Sequence, residues 1–355
     1  MARITIMAGG TGGHVFPALA VAQEMRERGW EVNWMGTPDS FESRTVPGHG
    51  FVLDTIAAYR LRGQGASGLL LAPFRLFNAM RQAGKILRRS KPQLVLGMGG
   101  FVTGPGGLVS RLLGIPLVIH EQNTIPGLTN RWLAKIAAQV LQAFPDSFPD
   151  TVDAVVTGNP LRQEITAVAP PEERLKNRGG PARLLIVGGS LGALALNQQL
   201  PPALAQLGLP LSVRHQAGRG KAEATRELYP SRMQAEITEF IDDMAEALAW
   251  ADLVICRAGA LTVSELAAVG VASVLVPFPY AVDDHQTRNA RYLVDAGAAV
   301  LLPQSDMSEE RLLQQLDELL GDREKLLEMA LAARSRAKPD ATRKVADYCA
   351  AQVRS

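Results

Sequence analysis

The same glycine-rich turn occurs twice in this sequence, and the repetition constrains the fold more than any other feature. An apolar run over residues 3–8 leads into Gly9-Gly10-Thr11-Gly12-Gly13-His14, and another over 183–187 leads into Gly188-Gly189-Ser190-Leu191-Gly192-Ala193. Apolar residues at helical spacing follow each turn, a pattern that predicts strand, tight turn and helix. The two turns lie about half the chain apart. We therefore predict two similar α/β domains, each opening with a turn of this type.

Further apolar runs continue the pattern along the chain. They span 93–96, 117–120, 154–157, 211–215, 253–256 and 273–276, and helical patterns separate most of them. This alternation predicts parallel sheets with helices on both faces, which bind ligands beyond the carboxyl ends of their strands. The 355 residues suffice for about two domains, and a proline-bounded connector puts the boundary near Arg162. The closing segment 340–355 has a helical pattern and fits either domain.

Composition excludes several classes of protein. A net charge of +2 with 47% hydrophobic and 20% charged residues is typical of a folded globular chain. Cys256 and Cys349 have no CxxC spacing, which predicts neither disulfides nor a thiolate metal site and fits a reducing cytoplasm. The first residues form a strand and turn, so we expect no signal peptide. No apolar stretch approaches the roughly 18 residues that span a bilayer, so any membrane contact is expected to be peripheral.

A basic window without acidic residues lies between Thr55 and His120. Its basic residues are Arg60, Arg62, Arg75, Arg81, Lys85, Arg88, Arg89, Lys91 and Arg111. Within it, Phe74 and Phe77 lie on an apolar helical face, which core packing would explain, while Leu71 and Leu76 lie off that face. Apolar residues among basic ones are typical of a surface that binds anionic lipid. No RNA- or DNA-reading motif is present, so we expect no nucleic-acid partner.

The first turn matches neither common phosphate loop. Val15 stands where a dinucleotide fingerprint needs its third glycine, and no Gly-x-x-x-x-Gly-Lys-(Ser/Thr) is present. The turn either packs a helix on a strand or binds an anion at the helix start. His14 follows it, whereas Ala193 stands at the equivalent position of the second turn. His14 is therefore either a capping or packing residue or a general base, a role that suits an imidazole.

Three further segments follow predicted strands. Residues 97–107 contain six glycines among eleven, so three glycine-rich turns can line one cleft. Thr262 and Glu265 have the Thr-x-x-Glu spacing of a capping box, and Glu265 is alternatively a ligand for ribose hydroxyls. Asp283 and Asp284 are adjacent and point in different directions, and no Asp-x-Asp pair exists, so we predict no metal site.

Five motifs span nearly the whole chain. They are Gly9 to His14 followed by Val15-Phe16-Pro17, His120-Glu121-Gln122-Asn123, Gly158-Asn159-Pro160-Leu161-Arg162, the second turn, and the segment from Ala258 to Glu265. Together they resemble the bacterial peptidoglycan glycosyltransferases that add N-acetylglucosamine to undecaprenyl-diphospho-muramoyl-pentapeptide.

The resemblance implies a GT-B type fold, in which two Rossmann-like α/β domains with parallel sheets face each other across a cleft. Residues 1–162 with the closing helix 340–355 would bind the acceptor and an anionic membrane surface, through the basic apolar window. Residues 163–339 would bind the UDP-N-acetylglucosamine donor. The enzyme would lie on the cytoplasmic face of the bacterial inner membrane.

The resemblance also implies roles for individual residues. Ser190 and its turn would hold the donor diphosphate, Glu265 the ribose hydroxyls, and the backbone of Ile241 the uracil. Gln286 would select the sugar, with Arg162 and Asn123 completing the donor site. Thr11, Gly12 and Gly13 would face the donor sugar and the acceptor diphosphate. The nucleotide would be lined by Ala260, Leu261, Thr262, Val263 and Ser264.

The implied reaction is a single inverting displacement by the C4 hydroxyl of the acceptor, with no cofactor and no tightly held metal. We expect His14 to accept the hydroxyl proton, with Glu121 as the second candidate. Other UDP-sugar-dependent glycolipid transferases, a UDP-sugar epimerase and a non-catalytic nucleotide-sugar binding module remain as alternatives.

Overall fold

The structure is a computed structural model that describes the chain except for residues 59–65, 177, 190 and 354–355, together with the side chains of 66–70 and 282. The chain divides into two compact units. The first comprises Met1–Arg162 with Pro339–Ser355, and the second comprises Gln163–Lys338.

The first unit is built on a seven-stranded parallel sheet with the order β3-β2-β1-β4-β5-β6-β7. Its strands are β1 (Arg3–Met7), β2 (Glu31–Gly36), β3 (Val52–Thr55), β4 (Leu94–Gly97), β5 (Leu117–Glu121), β6 (Gln139–Gln142) and β7 (Ala154–Val156). Its helices are α1 (Gly12–Glu27), α2 (Phe41–Thr45), α3 (Ala66–Ser90), α4 (Thr103–Leu112) and α5 (Leu128–Leu133).

Alternation along β1 gives this sheet a core on each face. Ile4 and Ile6 pack with Val15 of α1 on one face, whereas Met7 packs with Ala83 of α3 on the other. Because successive side chains of a strand point to opposite faces, a strand packed on both sides has buried side chains at successive positions, as β1 has from Ile4 to Met7.

The second unit is built on a six-stranded parallel sheet with the order β10-β9-β8-β11-β12-β13. Its strands are β8 (Ala182–Val187), β9 (Leu211–Gln216), β10 (Gln234–Thr238), β11 (Leu253–Cys256), β12 (Ala272–Leu275) and β13 (Ala299–Leu301). Its helices are α6 (Gln163–Thr166), α7 (Pro171–Arg174), α8 (Leu194–Gln206), α9 (Ala222–Arg226), α10 (Met244–Trp250), α11 (Ala260–Val269), α12 (His285–Val294), α13 (Glu309–Leu320) and α14 (Arg323–Ser335).

The last helix, α15 (Ala341–Ala351), packs against α1 in the first unit. Val345 and Cys349 are fully buried in the core beneath α1. The Arg28 guanidinium at the end of α1 pairs with the Asp347 carboxylate at 2.6 Å and donates to the Arg343 carbonyl. The closing segment therefore completes the core of the first unit.

Each sheet has one point at which the strand order reverses. In the first unit the chain proceeds outward from β1 to β3 and then returns to β4, beside β1; in the second it returns to β11, beside β8. Ligands of open α/β sheets bind at such points, beyond the carboxyl ends of the two strands. Both repeated glycine turns lie there, one after β1 and one after β8.

The predicted α/β fold with two parallel sheets is confirmed. The strands that the sequence did not predict include β6, which lies inside the first sheet, and β3, β10 and β13, which lie at the edges of the sheets. β3 and β10 have few buried residues, so the apolar signal is weak there. Within the described part of the chain, no helix is long and apolar enough to cross a membrane.

Candidate active site

The first glycine turn and the glycine stretch after β4 pack backbone against backbone. The Gly9 amide donates to the Gly99 carbonyl at 3.3 Å. Gly99 and Gly100 have φ angles of +100° and +90°, and a methyl group added at Gly100 would overlap the Gly9 carbonyl. Glycine is required at both positions because other residues rarely adopt this conformation and the approach leaves no space. Two of the three predicted glycine-rich segments thus meet at the switch point of the first sheet.

The Glu42 carboxylate anchors the first turn. Its carboxylate accepts hydrogen bonds from the Gly10 amide at 2.9 Å and from the amide and hydroxyl of Thr37 at 2.9 and 2.7 Å. Burial disfavours the charged carboxylate, but these hydrogen bonds outweigh burial and lower the pKa of Glu42 below its ordinary value. No sequence motif marks this residue, because Glu42 lies 32 positions from the amide that it holds.

His14 lies in the first turn of α1, half-buried, with its ring against the backbone of Gly99. A Cβ atom at Gly99 would lie 2.6 Å from the His14 Nδ1 atom. That Nδ1 atom is 3.0 Å from Gln122 Oε1. Gln122 Nε2 is in turn 3.2 Å from His120 Nδ1, and His120 Nε2 is 3.0 Å from the Gly158 carbonyl oxygen. Thr11, Gly12 and Gly13 form the backbone immediately before His14, at the start of α1.

Glu121 is buried and its two carboxylate oxygens are engaged by the loop that follows β5. Oε1 accepts from the Asn123 amide at 2.9 Å and from Asn123 Nδ2 at 3.2 Å. Oε2 accepts from the Gly127 amide at 3.1 Å and from Asn130 Nδ2 at 2.8 Å. The carboxylate therefore fixes the loop and the orientation of Asn123.

Arg162 lies at the end of the first unit, with its guanidinium 5.4 Å from the centre of the Phe16 ring on α1. Phe16 contacts Phe41 edge to face at 5.6 Å. This aromatic pair places the Arg162 charge close to the helix that begins with the first turn.

In the second unit, the turn after β8 is anchored by Gln216 at the end of β9. The Gly188 amide donates to the Gln216 carbonyl at 3.1 Å, and the Gly189 amide to Gln216 Oε1 at 2.9 Å. A methyl group at Gly192 would overlap the Ala217 carbonyl. Ser190, the predicted ligand of the donor diphosphate, lies outside the described residues.

The segment after β11 enters α11 at the same switch point. The helix begins at Ala260, and its N-cap residue is Gly259, which has no side chain to cap it. The capping-box interpretation of Thr262 and Glu265 is therefore wrong, because both residues lie inside the helix. The Ser264 hydroxyl donates to the Ala260 carbonyl at 2.9 Å. Leu261 and Val263 belong to the same opening turns of α11.

Glu265 is buried in the second turn of α11, the helix that follows β11. Burial, with a smaller contribution from the Glu265 charge, raises the pKa of the Cys256 thiol to about 12. Cys256 is the last residue of β11, and α11, the helix that contains Glu265, follows that strand at the switch point.

Ile241 and Gln286 lie on two other loops of the second unit. Ile241 follows β10. Gln286 lies in the first turn of α12, and its Oε1 accepts from the Phe278 amide at 2.9 Å, which ties α12 to the loop after β12. Among the described residues, no group of three or more His, Cys, Asp or Glu side chains is placed to hold a metal ion.

The two parallel-sheet units, each with a glycine turn at its switch point, place this chain in the class of GT-B glycosyltransferases. The glycosyltransferase family 28 N-terminal domain matches residues 4–142, and the family 28 C-terminal domain matches residues 183–345.

Full-length relatives define the family more narrowly. A protein from Aeromonas hydrophila named UDP-N-acetylglucosamine–N-acetylmuramyl-(pentapeptide) pyrophosphoryl-undecaprenol N-acetylglucosamine transferase is 53% identical over 347 residues, 98% of this chain and 96% of its own. A protein of the same name from Marinobacter nauticus is 54% identical over 351 residues, again 98% and 96% of the two chains. The crystal structure of MurG from Acinetobacter baumannii matches with a TM-score of 0.87 at 44% identity, over 99% of this chain and 100% of that one. The chain belongs to this family of N-acetylglucosamine transferases, as its motifs predicted.

Proposed function

We propose that the protein transfers N-acetylglucosamine from UDP-N-acetylglucosamine to the muramoyl C4 hydroxyl of undecaprenyl-diphospho-muramoyl-pentapeptide, producing UDP and the disaccharide lipid. The observation that supports this most strongly is the pair of glycine turns at the two switch points, in a chain 53% identical to a transferase named for these substrates. Two anion-binding turns suit a reaction in which both substrates contain a diphosphate.

The second unit binds the donor. Its helices α8 and α11 begin at the switch point, where the positive ends of their dipoles stabilise the diphosphate and the negative charge that grows on departing UDP. Glu265, buried in the second turn of α11, accepts hydrogen bonds from the ribose hydroxyls. Ile241, the opening turns of α11 and Gln286 supply the contacts to uracil, nucleoside and sugar. Arg162 and Asn123 complete the site.

The first unit binds the acceptor and supplies the base. Thr11, Gly12 and Gly13 lie at the start of α1, where backbone amides favour a diphosphate. His14 follows them and accepts the proton of the attacking hydroxyl. We prefer His14 to Glu121 because both Glu121 oxygens are engaged by Asn123, Gly127 and Asn130.

The enzyme docks on anionic lipid at the cytoplasmic face of the inner membrane through a surface formed by α3, α4 and α5. Its exposed apolar residues include Phe74 at 75% exposure, Phe77 at 69%, Leu112 at 70% and Trp132 at 65%. Helix α4 packs against both α3 and α5, so these side chains belong to one part of the first unit. The proposed surface therefore reaches beyond the predicted window, which ends at His120, to include α5. Arg60 and Arg62 of the window lie outside the described residues.

A UDP-release assay tests the proposed reaction. We expect UDP release from UDP-N-acetylglucosamine only when the lipid-linked acceptor is added, and a much lower rate with UDP-glucose. Calorimetric binding of UDP-N-acetylglucosamine without acceptor-dependent UDP release would instead identify a non-catalytic binding module.

A further inference from the structure

Three side chains of the first unit form a hydrogen-bonded chain that ends on a backbone carbonyl. We call it the His14–Gln122–His120 chain; its final contact is between His120 Nε2 and the Gly158 oxygen at 3.0 Å. A carbonyl oxygen can only accept, so His120 Nε2 must have the proton. Burial, opposed by this hydrogen bond, lowers the pKa of His120 to about 4, so near neutral pH the ring is neutral and its Nδ1 is an unprotonated acceptor.

The unprotonated Nδ1 atom of His120 determines the orientation of the Gln122 side-chain amide. Its NH₂ group must face His120 Nδ1, 3.2 Å away, because that nitrogen needs a donor. The carbonyl oxygen of the same amide then faces His14 Nδ1 at 3.0 Å. An amide oxygen cannot donate, so the proton of a neutral His14 lies on Nδ1.

The surrounding structure holds the chain in place. Gln122 is 1% exposed, and its backbone carbonyl accepts from Asn159 Nδ2 at 3.1 Å. The His120 carbonyl accepts from Asn130 Nδ2 at 3.3 Å. The Thr157 hydroxyl also donates to the Gly158 oxygen, at 3.0 Å. Rotation of the Gln122 amide would place its NH₂ group against a protonated His14 nitrogen and its oxygen against the bare His120 nitrogen, which is costly for buried groups.

We infer that Gln122 and His120 are positioning residues that fix His14 in its Nδ1–H tautomer and leave the Nε2 lone pair as the proton acceptor of the transfer. This inference rests on the proposed role of His14 as the base. A neutral histidine in water favours the proton on Nε2, so the chain reverses the intrinsic preference and prepares the base before the substrates bind.

The proton balance of the step follows from this geometry. The acceptor oxygen forms its bond to the anomeric carbon while the bond from that carbon to the diphosphate oxygen breaks, and UDP leaves with the electron pair. The hydroxyl proton moves to His14 Nε2. The resulting imidazolium still donates from Nδ1 to Gln122, and Nε2 then releases its proton to water.

Nitrogen NMR of the full chain with ¹⁵N-labelled histidine tests the tautomer without reference to catalysis. At a pH where the imidazoles are neutral, we expect the His14 signal, identified by its loss in His14→Gln, to show a protonated Nδ1 and a bare Nε2. In Gln122→Met the signal should shift toward the Nε2–H form. A wild-type His14 protonated on Nε2 would overturn the inference, even if His14→Ala proves that the residue is the base.

Steady-state kinetics supply the second readout. We expect Gln122→Met to lower kcat on the order of tenfold to a hundredfold, less than complete loss of a general base, with little change in KM for UDP-N-acetylglucosamine. Gln122→Glu should recover much of kcat, since one oxygen of the side chain still accepts from His14 Nδ1 while the other, when protonated, donates to His120 Nδ1. Gln23→Met, on the exposed side of α1, is the matched control and should retain wild-type kcat.

The NMR and kinetic measurements together distinguish a positioning role of Gln122 from a purely structural one. Equal loss of kcat in Gln122→Met and Gln122→Glu, with the His14 tautomer unchanged in both, contradicts a positioning role. If Gln122→Met does not fold, the wild-type tautomer and the kcat of Gln122→Glu still decide the question. Normal turnover of His14→Ala, by contrast, removes the proposed base and leaves the tautomer result standing.

Discussion

His14 is held on two sides, since its ring rests on the Gly99 backbone and its Nδ1 atom contacts Gln122. This arrangement leaves Nε2 as the ring nitrogen available to a substrate. The position follows from the neighbouring glycines, because any side chain at Gly99 would occupy the space that the imidazole fills.

His14→Ala should lower kcat by about a hundredfold to ten-thousandfold, the usual cost of removing a general base. Donor contacts in the second unit are unchanged, so KM for UDP-N-acetylglucosamine should stay close to its wild-type value. The measurement is UDP release at saturating substrates, with the exposed His49→Ala as the control in the same unit. Near-normal turnover of His14→Ala would transfer the role of base to Glu121.

Sequence motifs identified His14, Glu121 and Asn123 but not the contacts between them. Glu121 became a candidate base because it is an acid in a motif, whereas the structure shows its oxygens engaged by backbone and amide donors. Glu42 belongs to none of the sequence motifs. Hydrogen bonds between residues far apart in sequence depend on how strands are ordered in the sheet, which apolar periodicity does not specify.

Helix α3 changes character along its length. Ala79, Ala83 and Leu87 are buried against the sheet, while Phe74 and Phe77 nearer its start are exposed. A single apolar face was predicted for the whole helix, and core packing explains only its second half. Helical spacing reveals which residues share a face but not where the neighbouring core ends.

Separate variants that remove the apolar and the basic groups of the α3–α5 surface should distinguish the hydrophobic from the electrostatic contribution to membrane binding. We expect Phe74→Ser with Phe77→Ser and Trp132→Ser to weaken binding to all vesicles. Replacing Arg75, Arg81 and Arg88 by Gln should weaken binding to anionic vesicles on the order of a hundredfold, at about 1 kcal/mol for each charge, and leave neutral vesicles unaffected.

Vesicle flotation at several salt concentrations measures these effects. Leu331→Ser, at an exposed leucine of α14 in the second unit, is the control for loss of apolar surface. Unchanged binding of the arginine variant to anionic vesicles, or binding insensitive to salt, would contradict the proposed docking surface.

In both units a glycine turn follows the first strand and lies at the point where the strand order reverses. The repeated turn in the sequence predicts this similarity of the two units. The helical pattern alone leaves the closing segment 340–355 undecided between the domains, whereas the family resemblance assigns it to the first. Its amphipathic pattern shows that one face is buried but does not identify the partner, which is α1.

Loss of packing beneath α15 should destabilise the first unit. Val345→Ala removes two methyl groups from a fully buried site and should cost about 2 kcal/mol from lost burial and the cavity. That corresponds to a fall in Tm of roughly 4–8 °C for a unit of this size. Scanning calorimetry measures it, with the exposed Val52→Ala in the same unit as control. Equal Tm values for the two variants would contradict the assigned packing of α15.

The second glycine of each repeated turn donates its amide to a different chemical group. The Gly10 amide is held by the Glu42 carboxylate, and the Gly189 amide by the neutral amide oxygen of Gln216. A buried negative charge offsets the positive end of α1, whereas nothing comparable is supplied by Gln216 to the second turn. The two turns therefore share a backbone design but differ in the charge of the side chain that anchors them. On the proposed assignment of the turns, the Glu42 charge weakens binding of the lipid diphosphate, whereas Gln216 brings no opposing charge to the donor diphosphate.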